Sequence, residues 1–171
     1  MKKSVHVKYG LGIGIAMVII GLIIYVSGSA FAPGVQYISY IPFLVGIILN
    51  AIAFSKVNDG YVTFGKVFGN CFKAAMIVTL VIVLWSVLSM VIFPEMKEKA
   101  LTMARDEMLK RQKMTDEQVE MALNVTRKYW NTFLIAGALF GTLFWGAVFS
   151  LIGALVAKKK GDNPMIVADN F

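Results

Sequence analysis

The chain has 171 residues, 58% of them apolar and 16% charged, with a formal net charge of +7. Soluble domains carry roughly 45–50% apolar residues, so this balance excludes an ordinary water-soluble domain and points to an integral membrane protein. A single cysteine, Cys71, excludes an intramolecular disulfide framework and a cysteine-based metal cluster; the lysines flank apolar blocks without interleaved aromatics, which argues against a nucleic-acid partner.

The amino-terminal tail carries Lys2, Lys3, Lys8 and the lone histidine, His6, which is expected to be solvated. Residues 9–28 then run without a charge, which meets the roughly 20 residues a membrane-crossing helix needs. Gly10, Gly14, Gly21 and Gly28 recur on one side of this span and predict a helix-packing seam. The stretch "SGSAFAPG" that follows has the small-x-small pattern of a signal-peptidase site at Ala30-Phe31-Ala32. Its preceding apolar run, residues 11–26, exceeds the roughly 7–15 residues of a signal core, and Pro33 would stand directly after the cut. The first span is therefore expected to be retained, with "SGSAFAPG" as a short uncharged outer turn.

Residues 35–55 form the second apolar block. Asp59-Gly60 predicts a turn and Thr63 a helix cap. From there Phe64, Val67, Phe68, Cys71 and Phe72 share one helical face, while Lys66, Asn70 and Lys73 occupy another. Residues 63–73 thus predict a helix that starts in the headgroup layer and runs into a third span at 74–93. Lys66 and Lys73 are candidates for contact with anionic lipid or a lipid phosphate, about 1 kcal/mol each.

Pro94 cannot continue that helix. Residues 95–130 predict a helical hairpin. Its first arm has an apolar stripe of Leu101, Ala104 and Met108, and its second opens with a capping box at Thr115 and Gln118 and carries Val119, Ala122, Leu123 and Thr126. The second arm is expected to run on into the fourth span. The acidic pair Glu95 and Glu98 fits compensation of the helix dipole. Met96, Met103, Met108, Met114 and Met121 leave two readings open: an adaptable partner surface, or two arms packed on each other or on the membrane surface.

The fourth and longest block covers residues 131–157, with Gly137, Gly141 and Gly146 as further helix-packing candidates, followed by a tail (158–171) that begins Lys158-Lys159-Lys160. Trp85 and Trp145 fall near mid-span and predict an aromatic contact between the third and fourth spans. The distribution of basic residues places both termini in the cytoplasm and the hairpin outside, although the hairpin itself holds eight basic residues beside seven acids. The fold class expected is an all-α integral membrane protein with four transmembrane helices and an extracytoplasmic helical hairpin between helices 3 and 4.

No span contains Asp, Glu, Lys, Arg or His, which argues against a proton-coupled pump. The sequence has no nucleophile elbow, phosphate-cradling loop or pair of metal-ligating histidines. No catalysis and no cofactor or metal is expected.

The order of "YGLGIGIAMVIIGLIIY", "GYVTFGKVF" before the third span, "FPEM" after it, "MTDEQVEMAL" before the last span and the closing lysine cluster resembles the small bacterial inner-membrane proteins grouped as domain of unknown function 4199, found chiefly in Bacteroidota. The resemblance covers nearly the whole chain. It implies four helices, an extracytoplasmic helical insertion, an inner-membrane location and no established activity, and it assigns no functional residue. It also implies an aspartate before the proline, where this chain has Phe93.

Two functional readings follow. The first is a non-enzymatic accessory or assembly subunit of a larger envelope complex, such as a polyprenyl-phosphate glycosyltransferase system, with membrane lipids and other membrane proteins as partners. The second is a small homo-oligomeric lipid or solute transporter. Its cavity would be lined by Asn50, Thr79, Ser86 and Ser89, with Lys66 and Lys73 at the mouth.

Overall fold

A computed structural model describes residues 4–30, 32, 34–110 and 115–161. Lys2, Lys3, Phe31, Pro33, Met114 and the tail beyond residue 161 lie outside the described residues. The described chain is helical, without strands: α1 (Val5–Val26), α2 (Tyr40–Val57), α3 (Phe64–Ile92), α4 (Glu95–Lys110), α5 (Asp116–Lys128) and α6 (Trp130–Val156), with a short 3-10 turn at Val35–Tyr37. Helices α1, α2, α3 and α6 are each long and apolar enough to cross a membrane.

Helix boundaries depart from the sequence reading where backbone chemistry overrides hydropathy. The first helix starts at Val5, so His6 belongs to its first turn and not to a solvated tail. The second starts at Tyr40 and not at residue 35. Pro42 sits in its first turn, where no amide donor is needed; a helix continued backward would drive the proline ring into the Ile38 carbonyl. Asp59 and Gly60 take the left-handed backbone (φ 52° and 81°) of the turn before α3. The Thr63 hydroxyl then accepts the Lys66 amide at 3.4 Å as the cap. From that cap α3 runs unbroken for 29 residues, about 43 Å at the helical rise of 1.5 Å per residue. Tyr129 interrupts the junction of α5 and α6, so the second hairpin arm does not flow into the last helix as one rod.

The four long helices form one bundle in which α1 and α6 each pack against both α2 and α3. Its outside is apolar and its inside partly polar. Leu80, Leu84 and Leu155 are 63%, 64% and 70% exposed, whereas Asn50 and Ser150 are fully enclosed. This inverted pattern suits a solvent as apolar as lipid. Inside, the Asn70 amide donates to the Asn50 side-chain oxygen at 3.2 Å, and Asn50 donates to the Cys71 sulfur at 3.6 Å. These bonds tie α2 to α3.

The hairpin has its own small core. Leu101 of α4 packs with Val119 and Leu123 of α5, with Ala104 and Met108 against them. Arg105 pairs with Glu120 at 2.9 Å, and Arg127 with Glu98 at 3.5 Å. The two arms pack on each other with Met108 in the contact, while Met103 and Met121 are exposed. The Thr115–Gln118 capping box forms in both directions. The Tyr25 hydroxyl donates to the Glu95 carboxylate, and Tyr25 stacks against Phe93 with ring centroids 4.6 Å apart. Together these contacts fasten the hairpin base to α1.

Candidate functional site: a basic cleft at one end of the bundle

At the end where α1 begins and α6 finishes, a cleft of about 540 Å³ opens between α1, α2 and α3. The capped start of α3 supplies Lys66, Asn70 and Lys73, three residues on one helical face. Ser4 and His6 enter from the first turn of α1, and Asn58 from the end of α2. Gly65 and Gly69 floor the cleft, and a Cβ on either would meet open space. No acid lies among the described residues that line it. Asn58 and Asn70 are anchored, Asn58 donating to the Phe54 carbonyl at 2.8 Å and Asn70 to Asn50.

The local charge is therefore positive, and the positive end of the α3 dipole adds to it. Such a concavity, with anchored asparagines and two lysines, suits an anion with several acceptor oxygens. At 29 residues, α3 is longer than the ~30 Å hydrocarbon core of a bilayer requires. Sequence reasoning found Lys66, Asn70 and Lys73 as one face. It missed Ser4 and His6, because hydropathy alone cannot show that α1 extends outward past its apolar block.

A second basic feature lies at the same end. The lysine cluster after α6 folds back: the Lys160 amide donates to the Gly60 carbonyl at 2.7 Å, and the Ser55 hydroxyl donates to the Lys158 carbonyl. The Lys159 ammonium caps α6 through the carbonyls of Ala154 and Ala157 at 2.6 and 2.9 Å. The lysine that neutralises the helix end is thus part of the fold.

The packing candidates separate into two groups. A Cβ on Gly10 would lie 2.8 Å from the Ala74 carbonyl oxygen, one on Gly14 2.8 Å from Val81 Cβ, and one on Gly146 2.7 Å from Ala75 Cβ. These three glycines let α1 and α6 close on α3. In contrast, Gly21, Gly137 and Gly141 would meet nothing within 4 Å. They are not a packing seam: Gly21 and Gly137 line a cavity between the helices. Gly46, which the spacing analysis passed over, is a closer contact than most, for a Cβ there would overlap Ile13.

The expected Trp85–Trp145 contact is replaced by a different one. Trp145 has ring centroids 5.6 Å from those of Tyr40, Phe144 and Phe149, and Trp85 and Trp145 both line one cavity between the long helices. The polar cavity of the transporter reading does not form. Thr79 and Ser86 donate to carbonyls of their own helix, Ala75 at 2.9 Å and Ile82 at 2.8 Å. Asn50 is enclosed in the α2–α3 network, and Ser89 lies apart beside Pro94 and Trp130. The pair Glu95 and Glu98 is likewise divided, one acid taken by Tyr25 and the other by Arg127.

No curated protein and no solved structure matches the chain. A protein family does, over residues 8–159, a stretch that runs from the start of α1 through the lysine cluster after α6. The chain belongs to the family described as protein of unknown function, DUF4199.

Proposed function

We propose that this chain is a multi-pass protein of a bacterial inner membrane, with both termini cytoplasmic and the α4–α5 hairpin outside. In this reading it holds the phosphate of an anionic lipid in the Lys66–Lys73 cleft, as a non-catalytic accessory subunit of a larger envelope complex. The basic cleft carries the proposal: two lysines, asparagines and a histidine converge on an uncapped hollow at headgroup depth. Its groups are those that hold an anion, and each lysine near a membrane surface contributes about 1 kcal/mol toward an anionic headgroup. The apolar exterior and the basic residues gathered at one end support the membrane placement.

Native mass spectrometry of the protein taken from vesicles of mixed phosphatidylcholine and phosphatidylglycerol tests the lipid half. Retention of phosphatidylglycerol over phosphatidylcholine is expected. The double variant Lys66→Gln/Lys73→Gln should weaken it about thirtyfold, the equivalent of about 2 kcal/mol. Equal retention of both lipids, or an unchanged preference in the double variant, refutes it. Purification in mild detergent tests the accessory half: a chain that reproducibly runs alone overturns it.

A further inference from the structure

The cavity shared by Trp85 and Trp145 lies in the other half of the bundle from the basic cleft and has about 450 Å³ of space. That is within the range of small-molecule sites, roughly 300–1,000 Å³. All four long helices contribute to it. Met17, Val18 and Ile82 give it apolar walls, and the rings of Tyr40, Trp85 and Trp145 give it aromatic ones. The open glycines Gly21 and Gly137 also line it, so the space exists because two side chains are absent. Gly137 is exposed on the bundle's outer surface, which makes the opening lateral, toward the apolar surroundings of the helices.

The polar groups in this wall are unspent. Among the described residues, none of the side chains of Ser39, Tyr40, Trp85, Thr142 and Trp145 hydrogen-bonds another protein group. Thr142 is the most telling. It is only 7% exposed, and unlike Thr79, Ser86, Thr126 and Ser150 it does not bond back to its own helix. No buried polar atom lacks a partner among the described residues, so the Thr142 hydroxyl is reached from the cavity. In an apolar medium such a group needs a partner. Two indole N–H groups donate only, and the hydroxyls can donate; no charged side chain lines the space. The complement is a neutral molecule with acceptor oxygens on an apolar body.

We infer that this cavity is a binding site for a neutral lipid whose polar end carries carbonyl oxygens. The carbonyls meet the Thr142 hydroxyl and the indole donors, and the apolar tail leaves between α1 and α6 past Gly137. A quinone ring and an acylglycerol ester share this chemistry. The inference rests on the membrane placement proposed above and is independent of the basic cleft.

The full chain purified in detergent, titrated separately with a short-chain benzoquinone and with dioctanoylglycerol, distinguishes the two sources. Trp130→Phe removes the one tryptophan outside the cavity, so the remaining fluorescence reports on Trp85 and Trp145. One of the two ligands should give a saturable change. Gly137→Leu places a side chain in the opening, starting from a Cβ with nothing within 4 Å, and should weaken that binding at least tenfold while the thermal midpoint holds or rises; Gly21→Leu provides a second filled variant if the first fails to fold. Thr142→Val should weaken it about fivefold. Phosphatidylglycerol retention in the basic cleft should not change in these variants, which separates this site from the other. Non-saturable partitioning of both ligands, or saturable binding unaffected by both filled variants, overturns the inference.

Discussion

Near the end where α1 begins, Gly10, Gly14, Gly46 and Gly146 are points at which a single added carbon would collide with a neighbouring helix. Toward the other end, Gly21 and Gly137 border empty space and a Cβ would touch nothing. The residue type and its spacing of three to seven along a helix are the same in both regions. What differs is what stands across the gap. In the first region it is Ile13, Ala74, Ala75, Ile77 and Val81, in contact range of the glycine positions. In the second, Gly21 and Gly137 face a cavity walled by Tyr40, Trp85 and Trp145. Glycine spacing along a helix therefore does not by itself tell a close contact from an opening.

The largest test of this contrast is Gly46→Leu. Overpacking costs typically 1–3 kcal/mol and more when backbone must shift, and here the new side chain would overlap Ile13. A loss of about 3 kcal/mol, read as a lowered thermal midpoint in detergent, is expected; an unchanged midpoint would show that the α1–α2 contact yields freely. Next comes Asn50→Ala. It strips the acceptor from Asn70, which is buried between α2 and α3, and should cost about 2 kcal/mol.

Gly137→Leu should act in the opposite direction, raising stability by up to about 1 kcal/mol, because leucine suits a helix interior better than glycine and its Cβ would have nothing within 4 Å. A marked destabilisation would mean that the second region is filled by packing after all. The smallest effect concerns the hairpin base. The Glu95 carboxyl is held below its ordinary range, first by the hydrogen bond from Tyr25, then by a backbone hydrogen bond and the charge of Lys99. A carboxylate depressed in the folded state contributes above its ordinary value and loses that contribution as pH falls through the lowered one. Amide protection in α4, corrected for the intrinsic pH dependence of exchange, should therefore fall on acidification, and Glu95→Gln should remove that fall. Because this group is exposed, the change should be slight.

Much of the fold is legible in the residues. Charge-free runs separated by lysines mark four long helices, since no other open structure satisfies its own backbone in an apolar medium. The Asp59-Gly60 turn, the Thr63 cap, the break at Pro94 and the Thr115–Gln118 box each depend on a few neighbouring residues, and each occurs where local chemistry requires it. The site was only half legible. Lys66 and Lys73 share a helix face by spacing alone, but the walls that make their face a cleft come from the starts and ends of other helices.

Composition and periodicity, then, determined the four long apolar helices, the local caps and turns, and a helical pair between the third and fourth spans, because these follow from hydrophobic pattern and short-range bonding. Only the tertiary structure decided which glycines are contacts and which are openings, and that Lys158 to Lys160 fold back as part of the bundle. It also brought Trp85 and Trp145 around a cavity in place of a mutual contact. These outcomes depend on side-chain volumes meeting across helices distant in sequence, and a one-dimensional pattern does not encode those encounters.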